Sequence, residues 1–241
     1  MARRRTLPDL TRPDAGTTLV SEWHVGTAAR QRAAAEVLLG EWDELSARLR
    51  PTAFVQLSCF ASEDGRVLLS LAQWTGDEAH LAFVREHRAA LVSRVDQQVP
   101  GIERPGLVRY RVLHNIVPET AAQTADHIAL LRAETRSPDR ARHWADDTAA
   151  RLHDTAARVH GNTARLHDTA GAGSGAVHVL LSTDGTNVLL YAPLAPVTHP
   201  SSGNPIFPTV NGSFPAPDGA EVHIHPPQRY HLLGSVQGVR S

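Results

Sequence analysis

Two groups of residues in this chain have the types and spacing to do chemistry. The first lies in QWTGDEAHLAFVREHR (residues 73–88), where Trp74 precedes a stretch bearing His80 and His87. An imidazole titrates near neutrality, so His80 could take a proton from a weak carbon or oxygen acid. Against this, both histidines share a helical stripe with Val84, Leu91 and Val95, where a satisfied core histidine is the commoner outcome. The second group is His223, His225 and His231. On a strand, His223 and His225 would face the same way and could chelate a metal. No carboxylate pattern completes a known motif, so the expected metal is none, with these three as the weak candidates.

Several chemistries are excluded outright. All 24 cationic side chains are Arg, so a Schiff base on Lys is impossible. The single Cys, Cys59, cannot form an intramolecular disulfide. No Gly-x-Ser-x-Gly elbow or Gly-rich phosphate loop is present. A formal net charge of −1 and the lack of a basic block beyond Arg3–Arg5 argue against a nucleic-acid partner. No apolar run is long enough to span a bilayer, so neither a membrane partner nor a leader is expected, and the cytoplasm is the default location. The Arg- and Ala-rich composition suggests a GC-rich bacterial genome.

The elements that must position these residues occur twice. Residues 54–76 read as two strands around an Asp64-Gly65 turn, and residues 177–194 as two strands around Asp184-Gly185. Ser62, Asp64, Gly65 and Ala72 recur as Ser182, Asp184, Gly185 and Ala192, at an offset of 120 residues. Arg109, Tyr110 and Leu113 recur as Arg229, Tyr230 and Leu233 at the same offset. In the first copy, Leu19 to Val25 reads as a strand. Thr27 caps a helix with Ala34, Leu38, Trp42, Leu45 and Leu49 on one face, ended by Pro51. Thr75 and Glu78 have capping-box spacing for a second helix, which Pro100-Gly101 stops. Leu107 to Val117 supplies the last strand. The order is βαββαβ.

The fold class expected is therefore α+β: two fused ferredoxin-like βαββαβ units whose sheets pack into a pseudo-dimeric α+β barrel. The expected divisions are a flexible arm at 1–16, a first unit at 17–120 and a second at 121–241. Within the second, a Pro-rich loop at 195–220 replaces the helix. A repeated ARLHDTA at 150–156 and 164–170 reads as a local duplication without function.

The Ser-x-Asp-Gly turn, the apolar strand, Gln73-Trp74-Thr75-Gly76-Asp77-Glu78-Ala79, and a helix with Phe83 and His87-Arg88-Ala89 resemble the antibiotic biosynthesis monooxygenase (ABM) domains. The resemblance covers residues 18–118, with 126–238 as a diverged copy. It implies a dimeric α+β barrel, here fused in tandem, and a homodimer of the fused chain is compatible with it. It implies cofactor-independent oxygenation of a small aromatic polyketide, anthrone or phenol to quinone, in bacterial secondary metabolism. Molecular oxygen is the co-substrate and no cofactor is used. The family's Asn, Trp, Tyr and Arg positions fall on Ser70, Trp74, His80 and Arg94, the implied catalytic set. Only Trp74 keeps the family's residue, and Leu194 stands at its place in the second copy. Trp23, His24, Tyr110 and His114 are the candidates for substrate contact. Trp23 and His24 point to opposite faces of the first strand, so only one of them faces the space between the sheets. The alternatives are an aromatic polyketide cyclase and a non-catalytic ABM-like accessory or binding protein.

Overall fold

The computed structural model describes residues 5–49, 51–117, 125–161, 176–194 and 222–238. The second ARLHDTA copy and the Pro-rich loop lie outside them. In chain order the elements are β1 (Thr17–His24), α1 (Ala28–Leu49), β2 (Phe54–Ser62), β3 (Val67–Trp74), α2 (Asp77–Phe83), a π-helical turn (Val84–Arg88), α3 (Ala89–Gln98) and β4 (Glu103–Ile116). Then follow β5 (His127–Thr135), α4 (Pro138–Gly161), β6 (Val177–Ser182), β7 (Asn187–Leu194), β8 (Val222–Ile224) and β9 (Gln228–Gln237). The class is α+β. Among the described residues no helix is long and apolar enough to cross a membrane.

The chain forms two compact units, Met1–Tyr110 with Tyr230–Ser241, and Arg111–Arg229. This departs from a division at residue 120. Tyr230 to Gln237, read in the sequence as the end of the second unit, pairs antiparallel along β2, with Ser58 opposite Ser235 and Ser62 opposite Tyr230. Those ladder bonds bind it to the first unit.

In unit 1 the strands run β4-β1-β3-β2-β9, with every pair antiparallel. The helices cover one face. Leu19, Trp23, Leu57, Cys59, Leu68 and Trp74 turn toward Leu38, Trp42, Leu45, Leu91 and Val95 of the helices. Thr27 caps α1 as its sequence indicates, since its Oγ1 accepts from the Arg30 N–H at 3.3 Å. Gln31 ties α1 to the hairpin. Its Nε2 donates to the Val67 carbonyl at 2.6 Å and the Ser62 hydroxyl at 3.2 Å.

Two local expectations are corrected. The capping box at Thr75 and Glu78 does not form: Gly76 is the N-cap residue, in extended backbone, and no side chain caps α2. The arm is not loose over its described residues. Gln56 Nε2 donates to the Thr6 carbonyl at 3.0 Å, Gln73 Nε2 to the Asp9 carbonyl at 2.8 Å, and Leu10 is buried. Two buried amides on the sheet needed acceptors, and the backbone of the arm supplies them.

Unit 2 has the strand order β6-β7-β5-β8, antiparallel throughout. Its core sets Ala129, Leu131, Val179, Val188 and Leu190 against Ala141, Trp144, Ala145 and Leu152 of α4. Pro138 opens that helix, where its missing N–H costs nothing.

The two hairpin turns are the same structure. Gly65 and Gly185 both sit at φ +74°, in the left-handed region. Asp64 Oδ1 accepts from the Ser62 hydroxyl and the Arg66 N–H, as Asp184 Oδ1 does from Ser182 and Thr186. The serine hydroxyls in turn accept from Val67 and Asn187. A Cβ on Gly65 would meet the Ala28 Cβ at 2.8 Å, and one on Gly185 the Pro138 Cβ at 2.8 Å. In each unit the turn therefore abuts the first residue of the helix that follows the first strand.

Candidate active site

The candidate site lies where β3 hands over to α2 in unit 1. Trp74 is the last residue of β3, paired across to Thr17, and is 1 % exposed. Alternation along β3 turns its indole toward the helices. There it meets Trp42 of α1, Phe54 of β2 and Phe83 of α2, with ring centroids 6.1, 5.4 and 5.1 Å away. Trp42 also stacks on Phe54 at 4.5 Å and on Phe83 at 4.8 Å. Such offset and edge-on packings each add roughly 0.5–1.5 kcal/mol beyond their area. The indole Nε1–H is buried with no hydrogen-bond partner among the described residues. Buried donors are rarely left unmet, so this one marks a place for an acceptor.

His80, on the first turn of α2, is buried edge-on to Trp74 at 5.5 Å. Arg109 of β4 reaches the same point, because β4 lies beside β1 with Arg109 opposite Leu19. Its Nη2 donates to His80 Nδ1 at 3.3 Å. Nδ1 is thus the acceptor, and the neutral ring carries its proton on Nε2. Burial, reinforced by the Arg109 charge, pulls the His80 pKa down from 6.5 to about 4; Asp77 opposes and Arg88 assists. The Arg109 Nε–H is also buried and unmet. The site is therefore a set of donors beside a neutral imidazole, inside an aromatic wall. It is poorly suited to remove a proton and well suited to hold an oxyanion.

The continuous helix expected over this stretch is interrupted by the π turn at Val84–Arg88. His87 falls within it, half-buried, 5.3 Å from Phe83 and 3.5 Å from Glu86. Single π turns inside α-helices recur beside functional sites.

The other expected residues are not brought to this point. Ser70 shares the face of Trp74 but lies four residues up β3, roughly 13 Å along the strand, with its hydroxyl 3.5 Å from the Ser21 carbonyl. Arg94 ion-pairs with Glu41 across α3 and α1. Trp23, at the far end of β1, lies in the helix-side core under Arg104, 4.4 Å from the guanidinium carbon. His24 is exposed on the opposite face. Tyr110 is buried and paired to Thr18, one residue past Arg109 and so on the other side of the sheet. His114 belongs to unit 2, where its Nε2 lies 2.7 Å from Asp146.

The His223 and His225 rings pack edge to face at 4.5 Å, and His225 Nε2 lies 3.2 Å from Glu134. His231 is part of unit 1. Among the described residues no group of three His, Cys, Asp or Glu is arranged to hold a metal.

Sequence reasoning missed Arg109 as a site residue, although the Arg109-Tyr110 repeat was visible. Its usable signal was alternation: with Tyr110 on one face of β4, Arg109 must take the other. Trp42 was assigned only to an apolar helix face, and Phe54 and Phe83 to no site.

No protein-family model matches the chain, and no curated protein does. Among solved structures, an anthrone oxidase-like protein aligns over 94 % of this chain and 94 % of its own, at 13 % identity and a TM-score of 0.56. A monooxygenase from the gene ActVA-Orf6 of Streptomyces coelicolor, in complex with nanaomycin D, aligns over 46 % of this chain and all of its own, at 24 % identity and a TM-score of 0.41. The first of these likenesses shows a shared α+β fold.

Proposed function

We propose that the chain is a cofactor-independent monooxygenase acting on an electron-rich aromatic polyketide, of anthrone or phenol type, and that the chemistry belongs to unit 1. The observation that carries this reading is the trio of Trp74, His80 and Arg109. A neutral imidazole donor, an unmet indole N–H and an unmet guanidinium N–H lie together beside aromatic rings. An anthrone that gives its ring-methylene proton to solvent becomes an enolate whose negative oxygen would be stabilised by such donors. The carbanion carbon then adds O₂. The resulting hydroperoxide loses water, and the carbon is left as the new quinone carbonyl. One oxygen atom enters the product and the other leaves as water, so the balance requires no cofactor.

This assigns roles that differ from the resemblance. His80 is an N–H donor held in one tautomer by Arg109, rather than the base. Ser70 and Arg94 have no part in it. The matched turns and the paired Arg109 and Arg229 support a tandem origin from two ferredoxin-like units. In that reading the second copy lost its site with the change from Trp74 to Leu194.

A second reading, binding without chemistry, is favoured by one observation. Trp42, Phe54 and Phe83 already pack on Trp74 and leave it buried.

The test is oxygen uptake by the purified, metal-stripped chain with dithranol. Uptake should exceed the spontaneous rate. It should fall on the order of a hundredfold in Arg109→Leu and in His80→Ala, the range for losing an oxyanion donor. Uptake at the spontaneous rate, with ligand binding retained, would move the assignment to the binding reading.

A further inference from the structure

His223 and His225, the strand-spaced pair of the sequence, take no part in the chemistry of unit 1. They belong to β8 of unit 2, Val222–Ile224, with His225 one residue past its end. β8 pairs antiparallel with β5: Val222 is opposite Thr135, His223 opposite Glu134, and Ile224 opposite Ala133. Ala133 belongs to the core under α4, and Val222 and Ile224 pack against that core. Alternation therefore turns Glu134, His223 and His225 together to the other side of the sheet. A hydrogen bond from the His225 N–H to the Arg132 carbonyl, at 2.9 Å, carries the ladder one residue further and fixes the His225 backbone.

Two imidazoles and a carboxylate thus share one face of a two-strand ladder, with water at hand. His223 is exposed, and the side chains of His225 and Glu134 are 40 % and 52 % exposed. The two rings pack edge to face at 4.5 Å. Two other histidines of this unit, His114 and His127, spend a ring nitrogen on a carboxylate, in hydrogen bonds of 2.7 Å to Asp146 and Asp126. His225 does not. Its Nε2 atom is shielded from solvent and lies 3.2 Å from Glu134 Oε1, yet makes no hydrogen bond among the described residues. Two ligands of one tetrahedral zinc, each about 2.1 Å from the ion, stand about 3.4 Å apart. The His225–Glu134 separation suits that role better than the hydrogen bond it fails to make. As they stand, the three side chains do not surround one point. His223 is the exposed member, and a turn about its side-chain bonds brings its ring nitrogen to the other two.

We propose that Glu134, His223 and His225 form a binding site for a divalent cation of the zinc type, with water as the fourth ligand, and that the ion clips β8 to β5. Imidazole and carboxylate together are a zinc donor set. The site belongs to unit 2 and does not depend on the reaction proposed for unit 1.

The test is titration calorimetry of the full chain with zinc chloride, after dialysis against a chelator and then against plain buffer. The expected result is one zinc ion bound at this site, at least about tenfold more weakly in His223→Ala and in His225→Ala, since even an outer-shell partner can cost that much. Glu134→Gln should weaken binding as well. His143→Ala, which removes an exposed histidine beside Asp147 on α4, should leave it unchanged. Zinc should raise the melting temperature of the parent and not that of His225→Ala, because an ion that binds only the folded chain stabilises it. No zinc binding by the parent, or parent-like affinity in His225→Ala, would overturn the proposal. So would an equal loss in His143→Ala, the mark of zinc scattered over surface histidines. If His225→Ala does not fold, the imidazole proton signals of the parent chain give a second reading. Those of His223 and His225 should move as zinc is added, and two unmoved rings would overturn the site.

Discussion

Units 1 and 2 use the same hairpin and fill the space under it with different chemistry. The Ser-x-Asp-Gly turn repeats bond for bond. Beneath it, unit 1 packs Trp42, Phe54 and Trp74. In unit 2 the corresponding core is almost wholly Ala, Val and Leu, with Trp144 its one aromatic side chain among the described residues. Aliphatic side chains interdigitate and satisfy themselves. Indole and imidazole bring N–H groups into the core that need acceptors. The backbone framework and the potential for chemistry are thus specified by different residues, and one can persist while the other is lost.

The largest test of this contrast removes the matched pair at the end of the second hairpin strand. Trp74→Ala should cost about 3–5 kcal/mol, because it empties the centre of the aromatic cluster, while Leu194→Ala should cost about 2 kcal/mol. Urea denaturation of the two variants measures both. Equal costs would mean that the aromatic cluster is no more than ordinary filler. The turns should behave oppositely, with no difference between units. Gly65→Ala and Gly185→Ala each force a Cβ into the left-handed region and against a helix start 2.8 Å away. Each should lose about 1–3 kcal/mol. A loss in one unit only would show that the two turns are not structural equivalents.

The framework was largely legible in the sequence because local chemistry fixes it. Asp-Gly between apolar runs, Thr27 before α1 and Pro51 after it each act within a few residues. The site was legible only in part. Trp74 and His80 were singled out because Trp74 ends the repeated segment and His80 lies a fixed count of residues beyond it. Arg109 was not, because it reaches His80 through the pairing of β4 with β1, a contact 29 residues apart in sequence. Ser70 was placed by a count of residues from Trp74 as well, and Arg94 as an arginine further along the helix. A count along a strand or helix does not say what lies across from it: Arg94 meets Glu41, and Ser70 meets Ser21. The pairing of Tyr230 to Gln237 with β2 was beyond local reading for the same reason, since no local signal specifies it.

A pH series sharpens the comparison further. Folded His80 takes up its proton at about pH 4, against 6.5 for a free imidazole. As pH falls below 6.5 the unfolded chain binds that proton first. The stability that His80 contributes at neutral pH is therefore lost progressively between 6.5 and 4. Allowing for partial solvent access, the loss should be about 1–2 kcal/mol. His80→Gln should lack that slope. The turn carboxylates act elsewhere on the scale. Hydrogen bonds from Ser62 and Ser182 hold Asp64 and Asp184 below the usual carboxylate range, so their contribution is lost at more acid pH, in both units alike. If His80→Gln kept the parent's slope above pH 4, the protonation of His80 would not be its source.

Arg94 should show the smallest effect, and it separates the geometry from the family pattern. Its side chain is 42 % exposed and pairs with Glu41, which is 14 % exposed, so the bridge joins two helices at the surface. Exposed pairs of this kind contribute about 0.2–1 kcal/mol, and screening by salt reduces that further. Arg94→Ala should thus lower stability by less than about 1 kcal/mol, with the difference shrinking in high salt. Oxygen uptake with dithranol should stay within twofold of the parent, whereas Arg109→Leu should abolish most of it. The measurement is one assay on two variants. If uptake collapsed in Arg94→Ala and survived in Arg109→Leu, the helix arginine would be the anion-holding group, and the partnership of His80 with Arg109 would be a packing contact only.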